Sequence, residues 1–118
     1  MRLDRRRRGG DSMGSNAGVP RAGPVGLTER VWQAKVVEMA RWLGWAVYHT
    51  HDSRRSEAGF PDLVLVRDTR LVFAELKSAS GRTTPAQEAW LLRLHDTGAE
   101  VHVWRPEHWP QVQETLAR

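Results

Sequence analysis

Two short apolar runs, parted by three polar residues, constrain this chain more than anything else in it. Pro61 to Arg67 and Leu71 to Lys77 each read as a β-strand, with Asp68-Thr69-Arg70 as the turn between them. Runs this close in sequence pair as an antiparallel hairpin. Asp62 opens the first run; Glu75 and Lys77 close the second. Strand side chains alternate, so Glu75 and Lys77 share a face and Leu76 points the other way. The hairpin therefore gathers an Asp, a Glu and a Lys at one end of a sheet, against a hydrophobic body. Burying three such groups for stability alone would be costly. Two carboxylates beside an ammonium suit a hard divalent cation and an activated water. The plainer alternative is a structural ion-pair cluster in which Lys77 pairs with either carboxylate.

Lysine usage sharpens the first reading. The chain holds 18 Lys and Arg residues, yet only Lys35 and Lys77 are lysines. Where positive charge alone was needed, Arg was used. Lys77 thus marks a place for a compact ammonium rather than a planar guanidinium. Lys35, expected on an exposed helix face, is the exception that weakens the rule.

The rest of the chain supplies a frame for the hairpin. Thr28 is a helix N-cap with Glu29 in the first turn, and the helix runs to about Leu43, where Gly44 stops it. Val36, Val37, Ala40 and Leu43 form its apolar stripe. Trp45 to His51 is a strand, and Asp52 to Gly59 a polar loop. Ser78 to Thr83 is a second loop. Thr84, Pro85 and Gln87 start a second helix, with Gln87 placed for a capping box; it ends near Thr97. Glu100 to Arg105 alternates as a fourth strand, and Pro106 to Arg118 closes the chain as a short helix. The order is αβββαβ, an α/β fold. Trp42, Trp45, Trp90 and Trp104 fall within periodic elements and are expected in the core, whereas Trp32 and Trp109 are not assigned.

One domain is expected at 118 residues, over 27–118, preceded by a disordered basic tail over 1–26. The tail holds six arginines against two aspartates, so the whole net charge of +4 lies there and residues 27–118 balance. Such a tail adds salt-sensitive, nonspecific affinity for nucleic acid. The absence of cysteine removes thiolate metal sites and cysteine nucleophiles and permits a cytoplasmic setting. No apolar run nears the roughly 18 residues of a membrane span, and the basic start lacks the apolar stretch of a secretory signal. The Arg bias suggests a GC-rich genome, bacterial or phage.

Gly59, Pro61-Asp62, Glu75-Leu76-Lys77, Thr84-Pro85-Ala86-Gln87-Glu88-Ala89-Trp90-Leu91 and Gly98-Ala99-Glu100-Val101 together resemble the PD-(D/E)XK nuclease superfamily. More narrowly they resemble its virus-type replication-repair nuclease (VRR-NUC) domain, over about residues 28–110. Glu75 follows Asp62 by thirteen positions, the hairpin spacing of that pattern. The resemblance implies a restriction-endonuclease-like core, with a mixed four-stranded sheet flanked by helices. It implies a divalent metal, Mg²⁺ or Mn²⁺, and phosphodiester hydrolysis in DNA that leaves a 5′ phosphate. Asp62 and Glu75 would hold the metal, with the Leu76 main-chain carbonyl and Glu29 as further ligands. Lys77 would position or activate the attacking water, and Gln87 matches a glutamine of the family's second helix.

Gln87 has a competing role in the helix cap, and the two roles are expected to exclude one another in part. Arg54, Arg55 and Ser56, just before the Gly-Phe-Pro-Asp turn, and Arg82, after Lys77, are candidate phosphate contacts. His49 and His51 share a strand face, and His51 is a candidate DNA contact; a histidine metal site lacks a third ligand. The partner is expected to be DNA, read by shape because no base-reading helix is evident. The stand-alone form resembles members that act as dimers on branched or junction DNA, and such a homodimer would set two centres on two strands. Two other readings remain: a DNA-binding protein with an inactive nuclease fold, and an RNA-processing nuclease dependent on the 2′-OH.

Overall fold

The computed structural model describes residues 27–50 and 57–118. The basic tail over 1–26 and the candidate DNA contacts His51, Arg54, Arg55 and Ser56 lie outside the described residues. Helix α1 (Glu29–Trp42) leads into β1 (Ala46–His49), β2 (Leu63–Arg67) and β3 (Arg70–Leu76). Helix α2 (Pro85–Asp96), β4 (Glu100–Trp104), a 3₁₀ turn (Pro106–His108) and α3 (Trp109–Ala117) follow. The strands form one mixed sheet in the order β1-β2-β3-β4, antiparallel except for the parallel pair β3–β4. Strands β3 and β4 can run parallel because α2 crosses over between them. A mixed four-stranded sheet flanked by helices is the architecture the sequence implies.

The hairpin closes more tightly than three turn residues would allow. Arg67 pairs with Arg70, so the turn is Asp68-Thr69 alone. Asp68 takes φ 54, a left-handed conformation that Asp tolerates. Pairing of Leu63 with Ala74 then sets Asp62 beside Glu75, one step further on. The alternation holds: Leu63, Leu65, Val72, Ala74 and Leu76 point into the core against α1 and α3.

Helix α1 is capped as its sequence suggests, with the Thr28 hydroxyl accepting from Val31 N–H at 3.1 Å. Its buried stripe is Trp32, Val36 and Ala40, spaced by four, with Val37 and Leu43 packed at the margin. Trp42 is no part of the core; it is 84% exposed. Two positions beyond Ala40 it lies about 200° around the helix, on the solvent face. Trp32 is the buried one, because its indole N–H finds the Trp104 carbonyl at 3.0 Å. Trp45 and Trp104 are buried as expected; Trp90 is only half-buried and outside the core, packing edge-on against Phe60 on the α2 side of the sheet. Lys35 is exposed and lies over the Trp109 ring, 4.6 Å from its centre.

Candidate active site

Three elements build one end of the sheet. Gly59 (φ 96) lies so close to the start of α2 that a Cβ there would sit 2.5 Å from the Ala86 carbonyl. Only glycine permits both that approach and that backbone. Phe60, next in line, is gripped edge-on between Phe73 of β3 and Trp90 of α2. This clamp aims the buried Pro61 and then Asp62 at the end of β3. Thr50 holds the other side, its N–H donating to the Asp62 carbonyl at 2.9 Å.

Asp62 Oδ2 accepts the Leu76 N–H at 2.8 Å. Glu75 is 1% exposed, and its Oε2 lies 3.6 Å from Lys77 Nζ. The same oxygen accepts from Gln87 Nε2 at 2.9 Å. Glu75 Oε1 is buried and receives no donor among the described residues. Asp62, Glu75, Lys77 and Gln87 thus meet as their sequence positions imply. The expected conflict over Gln87 does not arise. Its Oε1 accepts the Thr84 N–H at 2.8 Å while its Nε2 reaches Glu75. An amide has two ends, and the capping box uses only one of them.

The electrostatics follow from burial. Loss of water, then the neighbouring Asp62 charge, push the Glu75 carboxyl up to about 8 against the pull of Lys77; the charge of Glu29 adds to the rise. Asp62 is also raised by burial, opposed by the Leu76 N–H, by Lys77 and by the nearby charge of His49. The two carboxyls lie close enough to hydrogen-bond when Glu75 is protonated. When both are ionised, they repel across a dry site. The donor set is therefore short of positive charge and of one partner, a deficit that a hard divalent cation fits. Mg²⁺ is commonly held by one or two carboxylates, with water and substrate phosphate completing its shell. Among the described residues no three His, Asp or Glu side chains gather into a cluster that could hold a metal ion.

The remaining candidates are less tightly placed. Glu29 is exposed on the first turn of α1 and acts on Glu75 through its charge. Leu76 presents its N–H to Asp62. Arg82 is exposed on the loop after Lys77. Sequence reasoning missed Phe60, whose neighbours come from β3 and α2, and Arg105, which binds the loop after Lys77. A bulky aromatic inside the Gly-Phe-Pro-Asp turn was the available signal for Phe60. Arg105 offers none until β4 is laid beside β3.

The VRR-NUC domain family matches residues 27–107 of this chain. One solved structure, titled a VRR-NUC domain, is 24% identical with a TM-score of 0.57, covering 75% of this chain and 95% of its own. A second, titled a VRR-NUC domain protein, is 21% identical with a TM-score of 0.58, covering 80% and 87%. No curated protein matches the chain. The two structures share the fold, and the family match spans the whole site from Glu29 to Arg105. The chain belongs to the VRR-NUC domain family, nucleases of the PD-(D/E)XK type.

Proposed function

We propose that this protein is a divalent-cation-dependent deoxyribonuclease that hydrolyses phosphodiester bonds in branched DNA, in replication, repair or recombination. The observation that carries the proposal is the buried Glu75 carboxyl beside Asp62: Lys77 stands 3.6 Å from its Oε2, and its Oε1 accepts no hydrogen bond among the described residues. A structural ion pair would satisfy that oxygen. Asp62 and Glu75 would hold Mg²⁺ or Mn²⁺, with the Leu76 carbonyl and Glu29 as further ligands. When bound, the cation supplies Lewis acidity, neutralising phosphate charge and acidifying the attacking water.

The chain's own groups do the rest. The Leu76 N–H fixes Asp62, and the Gln87 amide fixes Glu75, so neither carboxylate must reorganise as substrate arrives. Lys77 is tethered to Glu75 yet 10% exposed, so its ammonium can orient the water and steady charge developing on the phosphate. In-line attack then expels the 3′ oxygen and leaves a 5′ phosphate. Arg82 and, outside the described residues, Arg54, Arg55, Ser56 and His51 would bind the DNA backbone. A homodimer would set two such centres on two strands.

End-labelled linear, flap and four-way-junction DNA, with Mg²⁺, Mn²⁺ or EDTA, test the proposal beside Lys77→Ala. Metal-dependent cutting, greatest on a branched substrate and lost in the variant, is expected. Tight binding without cutting in either metal would support an inactive binding module. A strict 2′-OH requirement would move the substrate to RNA.

A further inference from the structure

The loop that follows Lys77 is held by a residue with no part in the centre described so far. Strand β3 ends at Leu76, and Lys77 keeps one bond to β4, its N–H donating to the Trp104 carbonyl at 3.0 Å. Beyond it the chain folds back on itself. Gly81 N–H donates to Ser78 Oγ at 3.0 Å and to the Ser78 carbonyl at 3.3 Å. Arg105, the residue after Trp104, donates from Nη1 to the Ser78 carbonyl at 2.9 Å and to the Gly81 carbonyl at 2.5 Å. Bonds from a guanidinium are about twice as strong as neutral ones. The loop in turn walls the lysine: a Cβ at Gly81 would lie 3.6 Å from Lys77 Cδ. The stem of Lys77 therefore runs about one methyl group's width from backbone that Arg105 holds.

We infer that Arg105 is a positioning residue of the active centre: by tying the Ser78 and Gly81 carbonyls it fixes the loop along which the Lys77 stem lies, and so where the ammonium stands. The inference rests on the nuclease reading, in which Lys77 acts at the scissile phosphate. The Trp104 carbonyl also accepts the Trp32 indole N–H, so the strand end that anchors Lys77 and Arg105 is itself pinned to α1.

The test compares wild type, Arg105→Ala and Arg105→Lys by steady-state cleavage, by DNA affinity at several salt concentrations, and by amide hydrogen exchange of residues 78–82. A displacement of about 1 Å at a catalytic group can cost on the order of 100-fold. Arg105→Ala is expected to lower kcat by about 10- to 100-fold, with KM, DNA affinity and salt dependence unchanged. Exchange should quicken in residues 78–82 and stay as in wild type in α1 and α3. Arg105→Lys, which can reach one carbonyl, should fall between the two. If Arg105→Ala does not fold, the same readouts on Arg105→Lys decide. Wild-type kcat and wild-type exchange in the variants would overturn the inference. So would weaker DNA binding with a shallower salt dependence and an unchanged loop, the signature of a direct phosphate contact. If wild type cuts nothing, the nuclease reading fails, and exchange alone judges the clamp: quickening upholds it, and no change sinks it.

Discussion

The two ends of the hairpin carry ionisable residues of both signs and resolve them in opposite ways. At the turn end, the Arg67 and Arg70 guanidiniums lie over the Trp45 ring, 4.6 and 4.9 Å from its centre. Arg67 donates to the carbonyls of Leu43, Leu116 and Arg118. Arg70 donates to those of Thr115 and Arg118 and grips both oxygens of Glu100. Burial works against the Glu100 charge, but Arg70 outweighs it and holds the carboxyl below its ordinary range. These arginines cap the last turn of α3 and lock it to the sheet. At the other end Glu75 is raised rather than lowered, and one of its oxygens accepts no hydrogen bond among the described residues. Charge at a strand end is thus no sign of function in itself. The turn end also holds an unbonded polar atom, His102 Nε2, 3.7 Å from Glu100, but there Arg70 matches the carboxylate charge. A buried carboxyl pair short of positive charge points to something that binds.

Substitutions that separate catalysis from stability break or sharpen this contrast. The largest effect should come from Asp62→Ala, Glu75→Ala or Lys77→Ala, each lowering cleavage by on the order of 10²–10³-fold or more. The two carboxylate changes should weaken Mn²⁺ binding more than Lys77→Ala does, which calorimetric titration would show. Normal activity in all three would dissolve the distinction between the two ends. Next in size, Arg70→Ala strips Glu100 of its partner and should destabilise the fold by about 1–3 kcal/mol in urea melts. Its kcat should equal that of wild type, since the change lies at the far end of the sheet.

A smaller effect concerns pH. With EDTA present, Glu75 holds its proton more tightly folded than unfolded. Stability is then fullest below the ordinary value near 4.5 and declines as pH rises towards about 8. Glu75→Gln should flatten that part of a plot of Tm against pH. An unchanged slope would mean that Glu75 is not the strained group. Smallest of all, Trp42→Gln should shift stability within about 0.5 kcal/mol in either direction. A larger loss would mean that its solvent face is covered.

Most of the fold was readable because its signals are local. Alternation and a turn signal make the hairpin legible, but not its register: a turn over Asp68-Thr69-Arg70 would set Asp62 opposite Leu76, whereas the Arg67–Arg70 pairing sets it beside Glu75. Caps fixed both ends of the crossover helix, and Thr84 and Gln87 bond as their spacing implies. What escaped depends on partners distant in sequence. Trp32 could be judged buried only once the Trp104 carbonyl, 72 positions on, was there to accept its N–H. Trp42 had periodic neighbours but the wrong phase. Arg105 gains meaning only when the parallel pairing of β3 and β4 carries it to the loop after Lys77. Gln87 is ambiguous in the sequence for a chemical reason: cap and carboxylate look like rivals for one group, whereas they use the two ends of one amide.

The most direct measurement is Mn²⁺ binding, by calorimetry at pH 8, to wild type, Glu75→Gln and Arg70→Ala, each checked for folding. Saturable binding to wild type and Arg70→Ala, with loss in Glu75→Gln, is the predicted result. Equal binding by all three proteins, or binding that follows Arg70 rather than Glu75, would contradict the claim that the carboxylate end of the hairpin is a cation site.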